Sequence, residues 1–186
     1  MEAYKVKTFH SAKTILKPVF LVISCVALLI MSSKFHVHLG PVPMTLQVLA
    51  VYFISFTGGS RLAVLSILSY VLIGAMGFPV FSDSPQRGIG LAYLAGPTTG
   101  YLVGFIIAAW ILGEARSASF IAKAFVSGIA LVIIYACGVL WLWQFVPTSQ
   151  LINVGILPFL LNDVLKVTFA LLTAQTFNLL RQKWSK

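Results

Sequence analysis

Charge is what this chain has least of. Only 9% of its 186 residues are ionisable as Asp, Glu, Lys or Arg, and just four are acidic. A soluble domain carries about 25%. So few charges cannot cover a water-exposed surface, so most of this surface meets another solvent. Strict alternation of polar and apolar residues is also missing from runs such as residues 120–145, which excludes the strands of a membrane barrel. Helices remain the one way to pair every backbone N–H and C=O within hydrocarbon. The chain has only two cysteines, Cys25 and Cys137. Both fall in apolar stretches without C-x-x-C spacing, so they read as small packing residues with no disulfide. No G-x-x-x-x-G-K-[ST] segment occurs, so the chain has no ATP-binding loop of its own. No Ser/His/Asp or Cys/His set is arranged for catalysis, and an enzyme is not expected. No two halves look alike, so the inverted-repeat plan of secondary carriers is not visible. No A-x-A-like cleavage site follows the first apolar run, which is therefore read as a membrane helix and not a leader.

What is present is hydrophobic: 59% of residues, with a mean hydropathy of +0.98. A spanning helix needs about 20 apolar residues. The pattern predicts an all-α membrane protein, a single domain over residues 1–186 with six transmembrane helices. These cover about Thr14–Ser33, Thr45–Thr57, Leu62–Gly77, Gly96–Leu112, Ser119–Phe145 and Gly155–Leu180. The second is short, ending at Gly58-Gly59, and the start of the fourth is broken by Gly and Pro; there the chain can dip into the bilayer without crossing it.

The net charge of +9 would suit nucleic acid, but in a membrane protein basic residues mark cytoplasmic flanks. With the N-terminus inside, Lys5, Lys7, Lys13, Lys17, Arg61, Arg116, Lys123, Arg181, Lys183 and Lys186 all fall on the cytoplasmic side. Only Lys34 and Arg87 fall outside, and Lys166 lies within the sixth helix. Both termini are expected in the cytoplasm and no nucleic-acid partner is expected. Trp110, Trp141, Trp143 and Trp184 read as interfacial anchors.

Three segments carry chemistry. The sixth helix contains Asn162-Asp163-x-x-Lys166, which puts Asp163 and Lys166 on one helix face. Ionised side chains within hydrocarbon are costly unless paired or turned to a polar cavity, and they mark functional sites by default. The other reading is a pair that bonds only to itself and to nearby carbonyls. The second segment, Gly90–Phe105, centres on Gly96-Pro97-Thr98-Thr99-Gly100-Tyr101. It supplies the hydroxyls of Thr98 and Thr99 and the polar-tipped rings of Tyr93 and Tyr101, as a pocket wall or as a plain helix start. The third, Pro41–Gln47, holds an extended strap through two prolines and carries the amide of Gln47 into an apolar helix, where it needs a partner in ligand or protein. Arg87 is the strong cation of the long outer loop, either a ligand contact or a surface charge. His36 and His38 are spaced for a metal, but the sequence shows no third ligand, so they read as solvated loop residues. No metal is expected.

In order and spacing, PVPMTLQ (Pro41–Gln47), GFPVF (Gly77–Phe81) leading to GPTTGYL, and NDVLK (Asn162–Lys166) resemble the biotin-specific substrate-binding subunits, the S components called BioY, of energy-coupling-factor transporters. The resemblance spans about Gly40 to Lys166. It implies six helices around a biotin pocket near the outer face of a bacterial inner membrane, closed by the 1–2 and 3–4 loops. It also implies contacts from Asp163 and Lys166, and partnership with a coupling subunit and two ATPases that hydrolyse ATP elsewhere, with no cofactor in this chain. The two N–H groups of biotin's ureido ring suit Asp163 and its carboxylate suits a cation such as Lys166; which charge meets which end stays open. Three features depart from the family pattern. Leu102 stands where some members carry Arg, and Arg87 is a candidate replacement. Thr99-Gly100 replaces Gly-Gly. Ser24 and Ala27 stand where an Ala-x-x-x-Ala docking patch is usual on the first helix. A subunit for another vitamin, such as thiamine or lipoate, or an autonomous secondary carrier, are the alternatives.

Overall fold

A computed structural model of the protein describes residues 2–38 and 40–184, and the side chains of residues 16–38 and 40–180. The side chains of Lys5, Lys7, His10, Lys13, Arg181, Lys183, Trp184 and Lys186 lie outside those described.

The described chain is almost wholly helical. In order come α1 (Glu2–Lys34), a two-residue ribbon β1 (His36–Val37) and β2 (Met44–Thr45), α2 (Gln47–Gly58), α3 (Ser60–Ala75), the short α4 (Gly90–Leu94), α5 (Thr99–Glu114), α6 (Phe120–Leu142), the short α7 (Leu151–Gly155) and α8 (Leu157–Trp184). Three stretches are long and apolar enough to cross a membrane: Leu16–Lys34, Phe120–Leu142 and Thr148–Leu180. The shorter α2 has 12 residues and α3 and α5 have 16 each. At about 1.5 Å per residue these rise about 18 and 24 Å, less than the hydrocarbon core of about 30 Å.

The surface explains the composition. Large apolar side chains stand fully outward, among them Phe20, Leu91, Ile121, Phe125 and Leu161. In water such a surface would aggregate; in lipid it is the solvated face.

Inside, close helix packing rests on small residues, as in membrane bundles generally. A Cβ at Gly100 would sit 2.3 Å from the Cys137 carbonyl, and one at Gly104 would sit 2.8 Å from the Ile134 Cα. α5 and α6 therefore pack backbone to backbone. One turn further on, Gly138 leaves room for the ring of Tyr101. At the far end of α5, Gly113 abuts the Gly59–Ser60 turn in the same way.

Local chemistry sets the boundaries. Ser119 caps α6 by accepting from the Ala122 N–H at 3.3 Å, the expected N-cap role. Gly59 takes φ +84° to turn α2 into α3, a conformation that favours glycine. The helix expected over Gly96–Leu112 is found as α5, which starts at Thr99 because Gly96 and Pro97 form a turn, and the short α4 falls just before it in the stretch expected as loop. The Thr99 hydroxyl there reaches back to the Leu94 carbonyl at 2.5 Å. Helix α1 starts a dozen residues earlier than expected, at Glu2, and runs through Pro18. The β1–β2 ribbon, which pairs His36 with Thr45 and Val37 with Met44, was not expected at all.

Candidate functional site

The site is built where the 1–2 strap, the 3–4 loop, the short α4 and five longer helices, α2, α3, α5, α6 and α8, converge. The end of α1 fastens the 3–4 loop. Ser33 Oγ donates to the Val80 carbonyl at 2.7 Å and Lys34 Nζ to the Phe81 carbonyl at 2.8 Å. This brings Phe81 inward, where it stacks on Tyr93 with centroids 4.5 Å apart and meets Tyr70 edge-on at 5.3 Å. Beneath this aromatic cap lies a partly open cavity enclosing about 570 Å³ of empty space, some of it continuous with solvent.

Its lining is apolar at Val42, Val48, Leu102, Phe105, Ile134 and Phe159, and carries polar tips from separate elements at Gln47, Tyr70, Ser82, Tyr93, Thr98, Tyr101, Tyr135 and Asp163. Most of the polar groups are already partnered and therefore held in place. Gln47 Nε2 donates to the Tyr70 hydroxyl at 2.9 Å. The hydroxyls of Ser82 and Tyr93 are 2.9 Å apart. Tyr101 donates to the Gly155 carbonyl at 2.8 Å. Trp141 donates to the Gly96 carbonyl at 2.9 Å, so it pins the Gly-Pro turn and is more than an interfacial anchor. The Tyr93 phenol, on the short helix α4, is pushed above its ordinary pKa chiefly by burial, against an opposing hydrogen bond from Ser82.

At the base is the acid–base pair. Asp163 and Lys166 are both buried. One turn of α8 brings Lys166 Nζ to 2.8 Å from Asp163 Oδ1. Tyr135 donates to Asp163 Oδ2 at 2.9 Å, and Lys166 donates a second bond to the Thr45 carbonyl at 2.7 Å. A carboxylate has about four lone-pair sites. Two are filled here, and Asp163 borders the cavity with acceptor capacity to spare.

Of the eight residues singled out in the sequence, Gln47, Tyr93, Thr98, Tyr101 and Asp163 line the cavity. Lys166 stands behind Asp163 and is not in the wall. Asn162 is on the exposed side of α8, with its amide 3.1 Å from the Met44 sulfur. Arg87 is exposed. Its guanidinium donates to the Pro41 and Gly40 carbonyls at 2.7 and 2.9 Å, which ties the two loops together above the cavity. Sequence reasoning missed Tyr70, Tyr135, Phe105 and Phe159. The two tyrosines had a usable signal, since a hydroxyl in mid-span needs a partner for the same reason a carboxylate does.

The chain matches the sequence profile of the BioY family over residues 5–183. It belongs to the BioY family. Among BioY proteins, it is 38% identical over 159 residues to the probable biotin transporter BioY of Pyrococcus horikoshii, covering 86% of this chain and 94% of that one. It is 41% identical over 151 residues to the biotin transporter BioY of Thermotoga maritima, covering 80% and 88%. The fold of this BioY chain is that of a crystallised S component for biotin from an ECF-type ABC transporter. The TM-score is 0.76, with 89% of this chain and 93% of that chain covered. At 17% identity that likeness concerns the fold alone.

Proposed function

We propose that this chain is the membrane subunit that captures biotin at the outer face of the cell for uptake. It binds and hands over its ligand and performs no reaction. The observation that carries the reading is Asp163: a buried, pre-oriented carboxylate with free lone pairs, bordering a partly open cavity of mixed polar and apolar lining. A buried anion of this kind is matched by a neutral ligand end that offers N–H donors. Biotin's ureido ring offers two. The ring docks on Asp163, and the thiophane ring and methylene chain lie along Phe105, Ile134 and Phe159. The carboxylate tail points to the hydroxyls of Thr98, Ser82 and Tyr93 below the lid. Lys166 acts through Asp163, holding it oriented. What supports this polarity is that Asp163 borders the cavity and Lys166 does not.

In this reading α1, α2, α3, α5, α6 and α8 form one multi-pass domain in the bacterial inner membrane. The short α2 is accommodated by local thinning of the bilayer. Both termini are cytoplasmic, as the ten-to-two split of basic residues favours. With no ATP-binding loop in the chain, energy for uphill transport comes from a membrane coupling subunit and two ATPases.

The test is calorimetric titration of the purified full chain with biotin. A dissociation constant below about 1 µM, which is about −8 kcal/mol, is expected, with thiamine and lipoate failing to compete. Weaker binding, or equal competition by another vitamin, overturns the assignment.

A further inference from the structure

Outside the cavity, one cluster of side chains is left unexplained by biotin capture. His36 and His38 sit two apart at the β1 edge, so their side chains leave the ribbon on the same side. Their Nε2 atoms both lie 2.6 Å from one oxygen, Oδ1 of Asp83. The imidazole rings meet edge-on with centroids 4.9 Å apart. Asp83 comes from the other loop, more than forty residues on. It is held at φ +56°, an unusual conformation that aspartate tolerates. Its residue is 93% buried, being 7% exposed, and its second oxygen, Oδ2, is buried without a hydrogen bond. Arg87 Nε stands 3.3 Å from that oxygen, close enough for charge attraction but not aligned to donate. All three donor atoms lie within 4.8 Å of one another, and among the described residues this is the one such group. The third ligand that the sequence did not reveal is therefore supplied by the fold.

We propose that His36, His38 and Asp83 form a site for a divalent transition-metal cation of the zinc class, clamping the 1–2 strap to the 3–4 loop across the mouth of the cavity. Two neutral imidazoles and one carboxylate are a common donor set for zinc, at about 2.0–2.2 Å each, with a fourth position left for water. Donors around a tetrahedral ion stand about 3.3 Å apart, by the same bond lengths. The two contacts at 2.6 Å thus open by under 1 Å to admit the ion, and His38, 62% exposed at its side chain, has room to move. Arg87 places a positive charge beside the site, and His36 Nδ1 is buried without an acceptor. Both features hold affinity to the micromolar range, since ligand histidines usually gain from such an acceptor. The position fits a lid lock: Phe81 and Ser82, the residues just before Asp83, line the cavity, as do Val42 and Pro43 of the strap.

The test uses full-length protein in detergent without a histidine tag, treated with chelator and then titrated with zinc chloride. One zinc per chain is expected. His38→Gln and Asp83→Asn should each weaken binding at least about tenfold, while a Cys25→Ser/Cys137→Ser variant should bind as before. X-ray absorption of the zinc-loaded protein should show nitrogen and oxygen neighbours and no sulfur. No zinc binding up to about 1 mM, or unaltered binding by the surface variant His38→Gln, overturns the site. Zinc binding is read without biotin and so stands or falls apart from the proposed function. The lock rests on that function: zinc should slow biotin release at least about threefold in wild type and not in His38→Gln, and an equal rate overturns the lock.

Discussion

Where α2 finishes, α3 begins and α5 finishes, the helices meet through Gly59, Gly113 and a core of Phe56, Ala63, Ala108, Ala109 and Leu112, each almost inaccessible. Where α2 begins and α3 ends, beside the start of α5, the same helices stand apart around a cavity. There hydroxyls, an amide and a carboxylate bond across elements far apart in sequence. At the closed end, hydroxyls such as those of Ser55 and Thr57 bond back to their own helix, four residues earlier. Between elements the bonds are few: Glu114 to Ser60, Arg116 to Gly58, Asn178 to Phe56. One end is filled by shape, and the other is held open by polar ties. Substitutions at the open end should therefore change affinity, and those at the closed end should change stability.

The largest effect is expected from Asp163→Asn. It removes the negative charge that accepts the ligand's N–H groups and leaves Lys166 a buried cation without its partner. Breaking a buried pair on one side costs about 3–5 kcal/mol. Biotin affinity should fall at least about 100-fold by calorimetry. Affinity within threefold of wild type would break the comparison at its most important point.

At the closed end, Phe56→Ala empties a site that is 1% exposed. Lipid already solvates the ring in the unfolded chain, so the loss is mostly the cavity term, about 3 kcal/mol. Denaturation in mixed micelles should show the loss, while the folded fraction keeps its biotin affinity. A matching fall in affinity would mean that the two ends are coupled.

Tyr135→Phe is smaller. It deletes one hydroxyl donor to Asp163 and leaves the ring. A hydrogen bond to a charged group contributes about 1.5–3 kcal/mol, and some of this is recovered when the freed lone pair meets the ligand. A fall in affinity of about tenfold is expected, with a loss of stability of no more than about 3 kcal/mol.

The division between the ends also governs how far the sequence could be read. Helices α2, α3 and α6 were legible within a few residues, because apolar runs and Gly breaks act locally. Asp163 was legible because a charge inside an apolar run has few explanations. What could not be read depends on distance. The sequence places Asp83 among serines and a proline, and nothing local says that its carboxylate faces His36 and His38. Arg87 had the right charge for a ligand contact, but its side chain turns to the strap carbonyls instead, since two free acceptors stand there. The helix expected over Gly96–Leu112 was legible in the same way as α2, α3 and α6 and is found as α5, whereas the short α4 before it was read as loop. Five residues, Gly90–Leu94, with Gly at their start and Gly-Pro just beyond, carry too little helical pattern to stand out from a Gly-rich loop.

The finest test of the open end lies in its cap. Tyr93 stacks on Phe81 and bonds to Ser82, and burial raises its phenol above the ordinary value. The sign follows from linkage. Below about pH 10, the ordinary phenol value, both folded and unfolded chains keep the proton and the cap is at full strength. As pH rises past that value the unfolded chain ionises first, and stability is lost up to the higher folded value. The slope from this one group is at most about 1.4 kcal/mol per pH unit. Melting temperatures of wild type and Tyr93→Phe should run parallel from pH 7 to 9. They should then converge or cross by pH 11, because the variant has no proton to lose there. Since Tyr93 sits in the cap and not in the packed end, wild type should also release biotin faster over that alkaline range, and the phenylalanine variant should not. Parallel curves throughout would mean that Tyr93 is already in contact with water and that the cap is looser than its stacking implies.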